Sequence, residues 1–155
     1  MPDAKCGFED GPRGSAPELL IALGPTLLVD LGFDPGYAPE EPNARPVAQL
    51  DGSHALVDTG ASISCIDNQV AISLKLPIID RQRVSGTAGA HEVNMYLAQV
   101  FVPELRTTFY GSFAGVDLAA GGQAHVVLLG RDMLQHVRLI YDGITGRVTI
   151  SAPYP

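Results

Sequence analysis

The chain has 155 residues, a length that fits one domain, and 46% apolar against 17% charged side chains, enough to fill a core. A formal charge of -7 without a Lys/Arg cluster argues against a nucleic-acid surface, which needs cations to meet phosphates. Twelve prolines and 17 glycines, with little helical periodicity, point to short strands joined by turns.

Residues 1–24 are punctuated by Gly7, Gly11, Pro12, Gly14, Ser15 and Pro17 and read as a flexible N-terminal arm preceding a domain at 25–155. Within the arm, residues 19–23 read as an apolar piece that packs on the domain or on a partner subunit. The apolar run 19–29 is too short to span a membrane, which takes about 20 residues, and Gly24 and Pro25 interrupt it. Glu9, Asp10 and Glu18 ahead of it do not suit a signal peptide, so the cytoplasm is the expected compartment, with no membrane partner. Residues 26–31 form the first expected strand. Pro35, Gly36, Pro39, Pro42 and Pro46 then mark a long loop, read either as a solvated linker or as a substrate contact.

Ala55, Leu56 and Val57 form a short apolar strand that ends on Asp58, Thr59, Gly60, Ala61 and Ser62. Such a strand brings a carboxylate out of the core edge, where a charged group needs a reason. Thr59 stiffens the turn, and Gly60 permits backbone geometry closed to residues with a Cβ. The small residues Gly60, Ala61 and Ser62 leave room for a substrate backbone.

Further along, residues 96–102 and 109–116 read as strands, and Val126, Val127, Leu128 and Leu129 lead into Gly130, Arg131 and Asp132. Asp132 starts a short helix through Gln135. Residues 139–141 and 147–150 flank Asp142, Gly143, Ile144, Thr145 and Gly146, a hairpin with explicit turn chemistry.

Other chemistries lack their residues. His54, His91, His125 and His136 have no metal-ligand spacing, and two cysteines, Cys6 and Cys65, specify no disulfide, Cys65 reading as a buried thiol. Ser62 and Ser112 do not sit in a nucleophile elbow, and Gly121 with Gly122 lacks the lysine of a phosphate loop. No metal or organic cofactor is expected.

The apolar-apolar-Asp58-Thr59-Gly60-Ala61 segment, answered by the apolar-apolar-Gly130-Arg131 segment, resembles the retropepsin-like aspartic proteases, and the likeness in order of parts runs over 25–150. The resemblance implies an all-β acid protease fold: a closed, barrel-like β domain with one short helix, active as a homodimer. Residues 83–93 occupy the place of the family's flap, a hairpin over bound peptide, with Gly86, Thr87, Ala88 and Gly89 at its tip. It implies catalysis by Asp58, Thr59 and Gly60, and substrate contacts from Ala61, Ser62, Gly86, Thr87, Ala88, Gly89 and Leu129. It implies that Thr59 hydrogen bonds across to the other subunit and that the terminal strands help join the two chains. One Asp58 per chain, for a reaction that needs two facing carboxylates, implies that a single chain is inactive.

The expected activity is therefore hydrolysis of peptide or protein substrates by water activated between two Asp58 carboxylates. Two departures keep alternatives open. Ser62 stands where the family carries an acid that pairs with the arginine of the Gly-Arg motif, and the flap tip offers Thr87 and Ala88 where a bulky apolar residue is usual. A peptide-binding or dimerisation module without turnover, or a protease that mainly cuts its own arm, are the other readings.

Overall fold

The computed structural model describes residues 2–86 and 89–153. Its centre is a barrel of six strands: β2 (Thr26–Gly32), β3 (Leu50–Val57), β8 (Val127–Leu129), β4 (Cys65–Asp67), β7 (Thr107–Val116) and β6 (Gly89–Val102). Each pairs with the next in that order, and β2 closes the ring on β6 through Asp30 opposite Phe101 and Leu31 opposite Val100. Closure removes the free edges that an open sheet would leave.

The strands form as their side-chain alternation dictates. In β2, Leu27, Val29 and Leu31 are buried while Leu28 faces out, and Val100, Val102, Phe109, Phe113, Val127 and Leu129 fill the interior from the other strands. Asp30 is nearly buried on the opposite face of β2, and its charge is met by Gly52 N at 3.0 Å and by Arg45 Nη2 at 3.4 Å. The loop expected at 33–46 lies against the barrel: Arg45 stacks over Phe101, Tyr37 meets Tyr110 edge-on, and Gln99 exchanges two hydrogen bonds with the Asp34 backbone.

β5 (Ile78–Gly86) pairs with the first part of β6 and stands off the barrel as a long hairpin whose last described pair is Gly86 with Gly89. Gly89 has a φ of +92°, a conformation glycine adopts without strain. Thr87 and Ala88 lie outside the described residues.

The segment 1–24, expected as a flexible arm, carries two packed elements. β1 (Asp3–Lys5) pairs antiparallel with β10 (Arg147–Ser151), which pairs in turn with β9 (Arg138–Asp142). The pairing runs on past β1, with Cys6 N to Val148 O and Phe8 N to Gly146 O both at 3.0 Å, and Thr26 N to Cys6 O ties this sheet to the barrel. α1 (Ala16–Leu23) starts at Ser15, whose hydroxyl caps Glu18 N and donates to Glu18 Oε1, and it stops at Gly24 with φ +73°. Ala4, Cys6, Ala16 and Leu20 are buried in the common core.

Where one short helix is expected, the described residues hold three: α1, α2 (Asn68–Ser73) and α3 (Arg131–Leu134). α2 follows a second capped start, Asp67 accepting from Val70 N at 3.3 Å. No described helix is long and apolar enough to cross a membrane.

His125 pins two parts of the barrel. Nearly buried, it sits with Nε2 2.7 Å from Thr26 Oγ1 and Nδ1 2.8 Å from Gln123 Oε1. Burial, then the neighbouring His54, holds its pKa below the ordinary value of 6.5. The unfolded chain therefore takes up this proton at higher pH than the folded one, so His125's stability contribution is full above the ordinary value and is lost as pH falls towards the folded one. His125→Gln should flatten that stretch of a urea-midpoint curve as pH falls below the ordinary histidine value; an unaltered slope contradicts the assignment.

The packed N-terminal segment makes a second prediction. Leu20→Ala should cost about 2–4 kcal/mol in urea unfolding, as for a core leucine. No change would return the segment to the status of a loose tail.

Candidate active site

β3 carries Asp58 out of the core beside β8, a parallel neighbour in register: Ala55 with Val127, Leu56 with Leu128, Val57 with Leu129. The ladder continues one step beyond the strand, Asp58 N donating to Leu129 O at 2.9 Å. The chain then folds on the carboxylate itself. Asp58 Oδ1 accepts Gly60 N at 3.0 Å, and Asp58 O accepts Ala61 N at 3.3 Å. Among the described residues Oδ2 has no protein donor, and the half-buried side chain opens to the surface beside exposed Thr59, Gly60 and Ser62.

Two loops are stapled beneath this turn. Ser64, fully buried, accepts Gly130 N at 2.9 Å and donates its hydroxyl to Asp132 Oδ1 at 2.6 Å, while its own N–H reaches Asp132 Oδ2 at 3.1 Å. Arg131 N donates to Ala61 O at 2.9 Å, and Arg131 Nη1 to Thr59 O at 2.7 Å. Gly130 is required here: a Cβ would lie 2.8 Å from the Ile63 carbonyl and 3.0 Å from Ala61 O. The turn thus owes its position to backbone and side-chain bonds from a segment some seventy residues away.

The structure gathers Asp58, Thr59, Gly60, Ala61 and Ser62 in one turn, and puts Gly86 and Gly89 at the hairpin tip. Leu129, expected as a substrate contact, lies inside the barrel. Its side chain is wholly buried, because Val127 and Leu129 both face inward, and only its carbonyl serves the site. Ser64 and Asp132 were not among the expected site residues; the repeated serine after the turn and the acid after Gly130-Arg131 were the available signals. Arg131, without an acid at Ser62, has the Thr59 carbonyl instead.

Under the hairpin root lies a small apolar cluster of Val93, Met95 and Ala114, packed by Ile63, Cys65, Val84 and Val116. Ile63 follows Ser62 directly, so the hairpin and the Asp58 turn share one floor. Cys65 is free, and its thiol is pushed up to about 11 by burial and by the charges of Asp132 and Asp58, so it stays protonated at neutral pH. His91 and Glu92 line a separate polar cavity of about 220 Å³ with Arg81, Asn68, Asn94 and Asp117. The described residues contain no cluster suited to a metal ion.

A closed barrel that presents an Asp-Thr-Gly turn on a Gly-Arg crossing, with a hairpin arm alongside, defines the retropepsin-like aspartyl protease fold. The sequence model of the family described as "gag-polyprotein putative aspartyl protease" matches residues 51–136, over half of the chain, and the chain belongs to that family. Among solved structures it is similar to EIAV protease complexed with the inhibitor HBY-793, at 20% identity and a TM-score of 0.47, over 72% of this chain and 85% of that one. No curated protein matches it.

Removing the staple tests whether it holds the turn. Ser64→Ala leaves Gly130 N and Asp132 without their buried partner and should cost about 1–3 kcal/mol in urea unfolding. Unchanged stability would mean that the turn stands without it.

Proposed function

We infer that the protein is an aspartic endopeptidase active only as a homodimer, hydrolysing peptide bonds in peptide or protein substrates. The observation that carries this reading is the single, half-solvated Asp58 held on a turn that fixes one carboxylate oxygen and leaves the other open. Two such groups facing each other across a twofold axis share one proton, since two carboxylates about 3 Å apart do not both ionise easily. The ionised one takes a proton from a bound water as that water's oxygen attacks the peptide carbonyl carbon; the protonated one donates to the carbonyl oxygen. Collapse of the tetrahedral intermediate breaks the C–N bond as the nitrogen takes up a proton.

The chain's own residues divide the remaining work. Gly60 and Ala61 keep the turn low enough for an extended peptide to approach, and Thr59, exposed beside Asp58, is the residue assigned to the cross-subunit hydrogen bond. The hairpin of β5 and β6, described as far as Gly86 and Gly89, is assigned to cover the substrate and hold its backbone as an added strand does. The apolar floor of Ile63, Val84, Val93 and Val116 favours uncharged substrate side chains.

Ser62 favours the second reading, a peptide-binding module without turnover, because it removes an acid from the site's edge. Against it, Arg131 has a 2.7 Å partner in Thr59 O, which supports the turn in the acid's absence. Processing of the arm fits less well, since Asp3–Lys5 and Ala16–Leu23 are built into β1 and α1.

Asp58→Asn should keep the circular dichroism and urea midpoint of the parent while lowering peptide cleavage by more than about a thousandfold. Adding excess Asp58→Asn chain to wild type under subunit exchange should suppress activity in proportion to the mixed dimers formed. Cleavage retained by the pure variant, or indifference to the mixing, would falsify the shared site.

A further inference from the structure

Asp58 leaves β3 between two backbone clamps. On one side Val57 N donates to Pro25 O at 2.9 Å, and on the other Asp58 N donates to Leu129 O, also at 2.9 Å. β3 lies between β2 and β8, which are not paired with each other, so the clamps belong to two separate strands. One side-chain contact joins those strands across β3. His125, just ahead of β8, brings Nε2 within 2.7 Å of Oγ1 of Thr26, the first residue of β2 and the neighbour of Pro25. Both ends of this contact are anchored. Thr26 pairs with Leu56, and its N–H donates to Cys6 O at 2.8 Å. Val126, beside His125, donates to His54 O at 3.0 Å and accepts Asp67 N at 2.9 Å, while Gln123 N is held on Leu118 O.

We propose that His125 is a positioning residue of the Asp58 site: its neutral ring braces the start of β2 against the entry to β8, and a second ring proton loosens that brace. Its effect on cleavage rests on the catalytic reading of Asp58, whereas its effect on the turn rests on these bonds alone. The partners fix the form of the ring. Gln123 Oε1, which already accepts Ala124 N at 3.2 Å, faces Nδ1 at 2.8 Å and calls for a proton there. Nε2 is left to accept the Thr26 hydroxyl, which completes a neutral tautomer with every group satisfied.

A second proton lands on Nε2, where the hydroxyl hydrogen stood. Thr26 must then turn its hydrogen to Gly24 O, 3.0 Å away, and a charged ring is left nearly buried. No counter-charge meets it. Thr26 of β2, the Gly24 carbonyl that ends α1 and Gln123 of the incoming loop are uncharged, and the ionisable group whose charge bears on the ring is His54 of β3, which repels it. Burial first and His54 second therefore keep the ring neutral until the pH falls below the ordinary histidine value. The brace stands at neutral pH and yields in acid, and with it go the bonds that fix Val57 and Asp58.

Amide hydrogen exchange of the full chain, corrected for intrinsic rates, reads the clamps without any need for cleavage. In wild type the protection of Val57 and Asp58 should fall about tenfold or more along the His125 ring titration followed by NMR. Phe8 N–H, bonded to Gly146 O at 3.0 Å in the terminal sheet, should not follow, whereas a general loss of stability would move all three alike. His125→Gln, which does not titrate, should hold protection level over that range, and Thr26→Val should show it lowered already at neutral pH. Peptide cleavage by wild type should lose kcat, with KM little changed, at the same midpoint; His125→Gln, scaled to its own neutral rate, should keep about tenfold more there. Protection that ignores the His125 titration, that falls equally at Phe8, or that falls equally in His125→Gln would overturn the brace while leaving the Asp58 reading intact. Asp58-dependent cleavage with the same acid limb in wild type and His125→Gln would also overturn the positioning role alone. Protection that tracks His125 without Asp58-dependent cleavage would uphold the brace on the turn and overturn the catalytic reading.

Discussion

The parallel ladder between β3 and β8 is the constraint on which the rest depends. It brings Asp58 beside Leu129, extends itself through Asp58 N to Leu129 O, and delivers Gly130 to the underside of the turn. Parallel strands need a long connection, and here the intervening chain supplies β4, α2, the hairpin arm and the barrel strands β6 and β7. The same crossing that closes the core therefore positions the acid, and Gly130 is the place where no side chain fits between the two loops.

Around that crossing the polar groups are fully engaged. Ser64 and Asp132 satisfy the buried end of α3 and the loop after the turn, and no buried side-chain nitrogen or oxygen among the described residues lacks a partner. A carboxylate that must act on substrate benefits from a rigid support, because reorientation during reaction costs free energy that preorganised dipoles avoid. The support is local and complete within one chain. What one chain does not contain is a second Asp-Thr-Gly turn.

Much of this was legible in the residues. The strands near 26–31, 96–102 and 109–116, the terminal hairpin and the Asp58 turn follow from alternation, glycine placement and turn chemistry. α1 was obscured by the glycines and prolines around it, although Ser15-Ala16-Pro17-Glu18 is a capping box and Gly24 a stop. α2 has six residues, too few to show a period. The inward direction of Leu129 was not legible, because an apolar run does not say which of its members face the core; pairing with β3 sets that. The Ser64–Asp132 staple joins residues far apart in the chain, a contact that no local pattern announces.

The central claim is that two chains build one site, and binding stoichiometry tests it most directly. A peptide analogue with a hydroxyl in place of the scissile carbonyl, titrated calorimetrically into the wild-type protein, should saturate at one molecule per two chains and should not bind Asp58→Asn. Saturation at one molecule per chain, with binding undiminished in Asp58→Asn, would contradict the account.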